Sequence, residues 1–258
     1  MPSLQTVLDA LEARVPLNLA GPWDNVGLLL QGDRCIERIM VCIDLDHQVL
    51  TEVIEQDIDF VIAYHPTWFG KLRRLTDEQP HGRTLRTLLR SGIHLYSPHT
   101  ALDAVQQGIA DWLLTPFPDT FDIRPIQPNI HSPTEGAGRM ASFQPSIAND
   151  LLDPIKKHLD LRYLRVAGPL DRTVSSVAVC PGAGTSVFKE LGAVDLLLTG
   201  EMSHHDVLSW VARGTVVVLT EHSNTERGYL PVYADNLAKI LPVSTQVATL
   251  DADPLTIR

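Results

Sequence analysis

The sequence predicts an α/β protein, and three features of the chain lead to that class. Short apolar runs alternate with stretches of helical periodicity, as where residues 39–43 are followed by 49–56. The runs at 60–63 and 216–219 are apolar without alternation, which is typical of parallel strands buried on both faces. Polar residues follow these runs directly, at the strand ends where open α/β sheets bind their ligands. We therefore expect parallel strands joined by crossover helices.

The first half of the chain begins with an amphipathic helix. Leu4, Val7 and Leu11 recur at helical spacing, and Ser3 is the expected N-cap. The elements that follow are predicted as strands at 25–30, 39–43, 60–63 and 93–96, with helices at 49–56 and 84–90. This order places helices between strands of one sheet.

The second half opens with a proline-rich stretch, residues 116–145, in which six prolines surround Gly136 and Gly138. We interpret it as a passage between domains with a mobile loop at 132–138. Beyond it, strands are predicted at 139–143, 174–179, 195–198 and 216–219, with helices at 147–158, from 186 onward and up to 210. The predicted domains are residues 1–120 plus 221–258, a discontinuous first α/β domain, and residues 121–220, a second α/β domain.

The composition is that of a globular protein, with 258 residues of which 44% are hydrophobic and 20% charged. A formal net charge of -10 argues against general nucleic-acid binding, although residues 71–74 form a local basic patch. Cys35, Cys42 and Cys180 have neither a disulfide nor a zinc-thiolate spacing. No apolar run has the length of a bilayer span, and the first helix is too acidic for a transit peptide. We expect a cytoplasmic protein that binds neither nucleic acid nor membrane.

Three of the strand ends carry metal-ligand chemistry. The residues concerned are His65 after the run at 60–63, His99 and Asp103 after the run at 93–96, and His222 and Glu226 after the run at 216–219. Because the carboxyl ends of parallel strands face one crevice, we predict that these five side chains lie together. Imidazole and carboxylate groups are ligands for divalent transition metals.

Each of these residues also has a simpler interpretation. His65 precedes Pro66 and can be a turn residue, while Glu226 can merely complement the dipole of a short helix. His204 and His205 can be ligands or the polar start of a helix. Residues 181–184 resemble a phosphate-binding turn, but their spacing fits neither established nucleotide motif, which favours a tight turn.

Five separated motifs occur in order along the chain. They are Trp23-Asp24-Asn25-Val26-Gly27-Leu28, His65-Pro66, Ser97-Pro98-His99-Thr100-Ala101-Leu102-Asp103, Thr199-Gly200-Glu201-Met202-Ser203-His204-His205 and His222-Ser223-Asn224-Thr225-Glu226. Together they resemble the GTP cyclohydrolase I type 2 family, also called the Ngg-interacting-factor-three-like proteins. The resemblance covers nearly the whole chain. It implies two α/β domains with a metal-binding cleft between them, in the subunit of a toroidal homohexamer arranged as a trimer of dimers.

The resemblance also implies a dinuclear metal centre. In that centre His65, Asp103 and Glu226 hold one metal, while His222 and Glu226 hold the other, so that Glu226 bridges. Bacterial members have a histidine where this chain has Tyr64, and a phenol with a pKa of about 10 is a poor ligand at pH 7. Eukaryotic-type relatives share the Tyr-His form. We expect one site that binds its metal firmly and one that binds it more weakly. A ligand set without thiolates favours zinc, iron, manganese or nickel, one to two per chain.

These features predict a metal-dependent hydrolase. The resemblance implies ring-opening hydrolysis of GTP at C8 with release of formate, so the expected substrate is GTP or a related small nucleotide. His99, His204 and His205 are candidates for proton transfer, because histidine titrates nearest neutrality. A second hypothesis is a non-catalytic, metal-binding hexameric scaffold for partners such as transcriptional regulators. A third is a metal-free α/β protein whose polar strand ends only hydrogen-bond to one another.

Overall fold

The computed structural model describes residues 1–189 and 191–256, with residue 80 described by its backbone. The strands are β1 (Gly27–Leu30), β2 (Arg38–Cys42), β3 (Phe60–Ala63), β4 (His94–Ser97), β5 (Phe121–Asn129), β6 (Ser132–Ile147), β7 (Arg165–Ala167), β8 (Thr173–Cys180), β9 (Leu196–Thr199), β10 (Val216–Leu219) and β11 (Ser244–Val247). The α-helices are α1 (Leu4–Arg14), α2 (His47–Glu55), α3 (Pro80–Arg90), α4 (His99–Ala104), α5 (Ile109–Trp112), α6 (Leu152–Leu159), α7 (Thr185–Phe188), α8 (His204–Ala212) and α9 (Leu230–Ile240). The predicted α/β class is confirmed.

The chain forms two compact units. Unit 1 comprises Met1–Leu102 and Tyr229–Arg258, and unit 2 comprises Asp103–Gly228. Each unit contains one sheet and its own hydrophobic core. Within the described ranges, no helix combines the length and the apolar character needed to cross a membrane.

Unit 1 is built on a sheet of strand order β1-β4-β3-β2-β11. The strands β4, β3, β2 and β11 are parallel, and β1 pairs with β4 in the antiparallel direction. All four residues of β3 are buried, which explains its unbroken apolar run. On one face, Val49 of α2 and Leu88 of α3 pack against Met40 and Val61. At the N-terminus, Ser3 caps α1 as predicted, accepting a hydrogen bond from the backbone N–H of Thr6.

Unit 2 is built on a sheet of strand order β5-β6-β8-β9-β10-β7. Its centre, β8, β9 and β10, is parallel, while β5, β6 and β7 are joined to it by antiparallel pairing. One face packs Val177, Leu198 and Val218 in a core with Ile155 of α6. The other face packs against Phe188 of α7 and Trp210 of α8. The strands that precede the predicted ligands therefore belong to two sheets, β3 and β4 in unit 1 and β10 in unit 2.

The predicted mobile loop at 132–138 is wrong, because these residues form the first part of β6. Two features explain how the proline-rich stretch forms a hairpin. Pro125 and Pro128 lie on β5, an edge strand, where a missing N–H donor is tolerated. Gly136 allows a close approach of the strands, since a Cβ atom there would lie 2.1 Å from the carbonyl oxygen of Gln127.

Candidate metal centre

Unit 1 places two histidines just beyond the ends of neighbouring parallel strands. His65 follows β3, and His99 begins α4 after β4. The two rings are in T-shaped contact, with centroids 5.4 Å apart. The Ser97 hydroxyl donates a hydrogen bond of 2.7 Å to the carbonyl oxygen of Tyr64, which ties the two strand ends together. The sequence prediction that these strand ends adjoin is met within this unit.

Each of the two histidines has a carboxylate partner at Nδ1. His65 Nδ1 lies 2.9 Å from Asp44 Oδ1, and His99 Nδ1 lies 2.7 Å from Asp24 Oδ1. A carboxylate in this position favours the tautomer with the proton on Nδ1 and leaves the Nε2 lone pair available. Histidines that bind metals usually have such a partner.

The carboxylate of Asp24 holds the His99 ring in place. Its side chain is 0% exposed. Burial raises the pKa of this carboxyl, but hydrogen bonds from His99 and Thr100 outweigh burial and keep the pKa below its ordinary value. His99 also has a φ of +29°, an uncommon backbone conformation for a residue with a side chain. Strain of this kind is concentrated at functional sites.

Tyr64 fills the space beside these two imidazoles. It is buried, and its ring centroid lies 4.9 Å from that of His65 and 5.3 Å from that of His99. The Tyr64 ring therefore packs against both histidine rings.

In unit 2, the loops that follow β8, β9 and β10 are hydrogen-bonded to one another. The carbonyl oxygen of Gly182 accepts hydrogen bonds from the Thr199 hydroxyl at 3.1 Å and from the N–H of Glu201 at 3.0 Å. The N–H of Gly182 donates to Thr225 Oγ1 at 2.8 Å, and the Thr225 hydroxyl donates to the carbonyl oxygen of His222 at 2.7 Å. These bonds fix a crevice beyond the carboxyl ends of three parallel strands.

His222 and Glu226 face each other in this crevice. His222 Nδ1 lies 2.6 Å from Glu201 Oε1, which repeats the carboxylate–histidine arrangement of unit 1. His222 Nε2 lies 3.6 Å from Glu226 Oε1, beyond normal hydrogen-bond length. Two ligands of one tetrahedral ion, with bonds of about 2.1 Å, are separated by about 3.4 Å. The spacing and the atom types of this pair therefore fit a divalent cation.

Gly182 completes the crevice. Its φ is +57°, and a Cβ atom there would lie 2.8 Å from Glu226 Oε1 and 2.9 Å from His222 Nε2. A residue with a side chain would therefore occupy the space next to the two ligand atoms and strain the backbone.

Gly182→Ala should lower metal affinity by about tenfold or more, since the added methyl group displaces both ligand atoms. Elemental analysis after dialysis against a dilute chelator measures this loss. Gly192→Ala is the matched control, because a Cβ atom at Gly192 meets nothing within 4 Å. Equal metal retention by the two variants would contradict a metal site in this crevice.

Asp103 lies on α4, four residues after His99. The charge of its carboxylate affects the buried thiol of Cys180. Burial raises the pKa of the Cys180 thiol, and the charges of Asp103 and Glu226 raise it further. Both carboxylates are therefore within electrostatic range of one buried sulfur atom at the end of β8. The thiol is neutral at pH 7 and packs with Phe188 in the core of unit 2.

His204 and His205 are exposed at the start of α8, with ring centroids 5.5 Å apart. Ser203 caps this helix by accepting a hydrogen bond from the N–H of Asp206. The two histidines therefore form the polar start of α8. Their predicted role in proton transfer stays a prediction.

Sequence reasoning missed the carboxylates that orient the histidines, namely Asp24, Asp44 and Glu201. A signal for two of them was present in the sequence. Asp44 follows the end of β2 by two residues, and Glu201 follows the end of β9 by two residues. The rule that selected the histidines, polar residues directly after strands, also selects these two carboxylates.

The sequence matches the family described as Duf34/NIF3 (NGG1p interacting factor 3) over residues 2–254. It is 39% identical over 256 residues to the Protein NIF3 homolog of Schizosaccharomyces pombe, covering 92% of each chain. It is 33% identical over 258 residues to NGG1-interacting factor 3 of Saccharomyces cerevisiae, covering 91% of this chain and 90% of the relative.

Two solved structures share the fold. A Bacillus cereus protein related to NIF3 superposes with a TM-score of 0.87 at 18% identity, covering 100% of this chain and 99% of the other. Reduced HcgD from Methanocaldococcus jannaschii superposes with a TM-score of 0.83 at 24% identity, covering 96% and 98%. Both similarities extend over nearly the full length of this chain.

Proposed function

This chain belongs to the Duf34/NIF3 family, and from that membership we propose that it is a metal-dependent hydrolase with a dinuclear centre. The observation that carries the proposal is the geometry of His222. Glu201 holds its Nδ1 at 2.6 Å, while its Nε2 faces the buried carboxylate of Glu226 at 3.6 Å. A histidine oriented by one carboxylate and facing another is the arrangement of a metal ligand.

The proposed ligand set extends this pair. In this proposal His65, Asp103 and Glu226 would hold the more firmly bound metal, and His222 and Glu226 would hold the weaker one. The donor atoms are nitrogen and oxygen without thiolate, so zinc, iron, manganese or nickel is the proposed ion, one to two per chain. When bound, such an ion would supply Lewis acidity for hydrolysis at neutral pH.

The remaining polar residues position these groups. Asp44 and Glu201 fix the ring orientations of His65 and His222, so that each ring offers Nε2. Asp24 does the same for His99, whose Nε2 is the proposed proton carrier in unit 1. The proposed substrate is GTP or a related small nucleotide, in line with the family resemblance of the sequence motifs.

Metal-loaded protein should hydrolyse GTP and release formate faster than the same protein after metal removal. Chelation followed by dialysis gives the stripped sample, and re-addition of zinc, iron, manganese or nickel in separate samples should restore the rate. Formate is measured directly, so that phosphate release by a contaminating phosphatase does not count. Equal rates in loaded and stripped samples would contradict the hydrolase.

The second candidate function is a scaffold that binds metal and other proteins without catalysis. The name of the Saccharomyces cerevisiae relative, NGG1-interacting factor 3, supports protein partners for the family. A homohexamer, a trimer of dimers, is part of both proposals. Metal content without metal-dependent turnover would favour the scaffold.

A further inference from the structure

Unit 1 contains a groove that the metal centre does not use. It is a cavity of about 620 Å³ whose lining includes Thr67, Phe69, Lys71, Arg73, Arg74 and His81. We refer to it as the cationic groove. Its size lies in the range of cavities that hold small-molecule ligands.

The charge of the cationic groove contrasts with that of the protein. The chain has a formal net charge of -10, yet the described lining of the groove includes three Lys or Arg side chains and no carboxylate. Among the described residues, Lys71, Arg73 and Arg74 have neither an ion pair nor a hydrogen bond. The nearby acid Asp77 is already paired with Arg86, at 2.8 Å. Three cations without protein partners at one cavity favour an anionic ligand.

The segment that carries these cations is anchored at both ends. On one side, the side-chain amide of Asn25 donates a hydrogen bond of 3.0 Å to the carbonyl oxygen of Trp68. On the other side, Leu75 packs on the core of unit 1. Gly82 of α3 allows close packing there, because a Cβ atom would lie 2.1 Å from the carbonyl oxygen of Thr76. The segment that carries the cations is therefore held at both of its ends.

An aromatic surface links the cationic groove to the histidines of unit 1. Phe69 is 55% exposed and lies beside Trp23, which is 67% exposed, with ring centroids 6.4 Å apart. The His99 ring contacts both, at 5.7 Å from Phe69 and 6.0 Å from Trp23. Exposed aromatic rings of this kind stack on the planar rings of ligands.

The cationic groove also adjoins the cavity that contains His65. That second cavity, of about 550 Å³, is lined by Asp44 and His65 among others, and it shares Thr67 and His81 with the groove. The proposed metal ligand His65 therefore lies in the cavity next to the groove.

We propose that the cationic groove binds the phosphate groups of an organic phosphate, with the planar ring of the ligand on Phe69. The inference rests on the proposed function, since this ligand is the substrate of the proposed hydrolase. The cations suit phosphate oxygens because charge-assisted hydrogen bonds to phosphate are stronger than neutral ones. A groove with three cations selects ligands that carry two or more phosphates.

Calorimetric titration of the metal-stripped full chain with inorganic tripolyphosphate and with GTP tests the inference without the metal. K71A/R73A/R74A should weaken binding of both ligands by about tenfold or more. The matched control is K156A/K157A/R162A, which removes the same charge from another cavity, where Lys156 is paired with Asp153. The control should bind as wild type does, and thermal melting should show that both variants are folded.

The F69A variant tests the contact with the planar ring of the ligand separately from the contacts with its phosphates. It should weaken binding of GTP by about fivefold or more and leave tripolyphosphate binding unchanged. Failure of stripped wild-type protein to bind tripolyphosphate, or an equal loss in the two triple variants, would overturn the groove assignment. An F69A protein that binds GTP as wild type does would overturn the ring position. The proposed hydrolase is tested by metal content and formate release instead. A failure of the hydrolase and a failure of the groove assignment are therefore distinguishable.

Discussion

Glu226→Gln should reduce the metal content of the purified protein to about a tenth of the wild-type value or less. The reason is that the proposed centre uses Glu226 twice, as the bridging ligand of both metals. A neutral amide neither bridges two cations nor compensates their charge as a carboxylate does. The substitution nearly preserves shape, so the loss measures ligand chemistry and not packing.

The matched control for this prediction lies five residues earlier. Glu221 is a carboxylate of the same loop, and it pairs with Arg165 at 3.2 Å. Glu221→Gln should keep the metal content of the wild type, because Glu221 is paired with Arg165 and is not one of the proposed ligands. Elemental analysis of both variants, purified without added metal, makes the comparison. Equal metal content in the two variants would eliminate the bridging role.

Arg139→Met should lower the free energy of unfolding by about 3–5 kcal/mol, the largest stability effect expected for a single substitution here. Arg139 lies on β6 and is 1% exposed. Its Nε donates to Asp111 Oδ1 at 2.6 Å, and its other nitrogens donate to the carbonyl oxygens of Ala104 and Gly136, both at 2.8 Å. Methionine matches the apolar stem but leaves an acid and several carbonyl groups without this donor.

Urea denaturation monitored by circular dichroism measures this loss. Arg124→Met is the control, because Arg124 lies on the neighbouring strand β5 and is exposed. Among the described residues, its side chain donates one hydrogen bond, to the sulfur of Met140. Its substitution should change the free energy of unfolding by about 0.5 kcal/mol or less. If Arg139→Met unfolds at the same urea concentration as Arg124→Met, the network does not stabilise unit 2.

The parts of the fold that sequence alone predicts are those whose signal is local. The strands β3 and β10 have the predicted bounds, because four consecutive apolar residues between polar neighbours fit one length of buried strand. The Ser3 cap of α1 follows from the same kind of local rule. The order of strands and helices, and with it the α/β class, follows from these local elements.

The parts that sequence reasoning missed depend on tertiary context. Pro125 and Pro128 fit a hairpin because their strand, β5, lies at the edge of its sheet, where proline loses no hydrogen bond. The short helices α4 and α5 and the strand β7 carry too few residues for a period to be read. Helix α9 has a proline in its first turn. This helix is not predicted from the sequence, although its apolar positions recur at helical spacing.

The candidate site also has residues that the sequence predicts and partners that only the fold reveals. Histidines and acids after apolar runs are visible in the sequence, and the structure pairs His222 with Glu226 as the spacing suggests. The partners that orient them are distant in sequence, since Asp24 and His99 are separated by 75 positions and His222 and Glu201 by 21. Only the fold brings such pairs to 2.7 Å and 2.6 Å. The functional orientation of a histidine therefore needs the structure, whereas its presence does not.

The metal content of His65→Gln tests most directly the proposed ligand set, in which His65 is a ligand of one of the metals. We predict that this single change removes about one equivalent of metal per chain, as the loss of one of its ligands requires. His81→Gln, another histidine of unit 1, should lose none. A His65→Gln protein with the full metal content of the wild type would contradict the account.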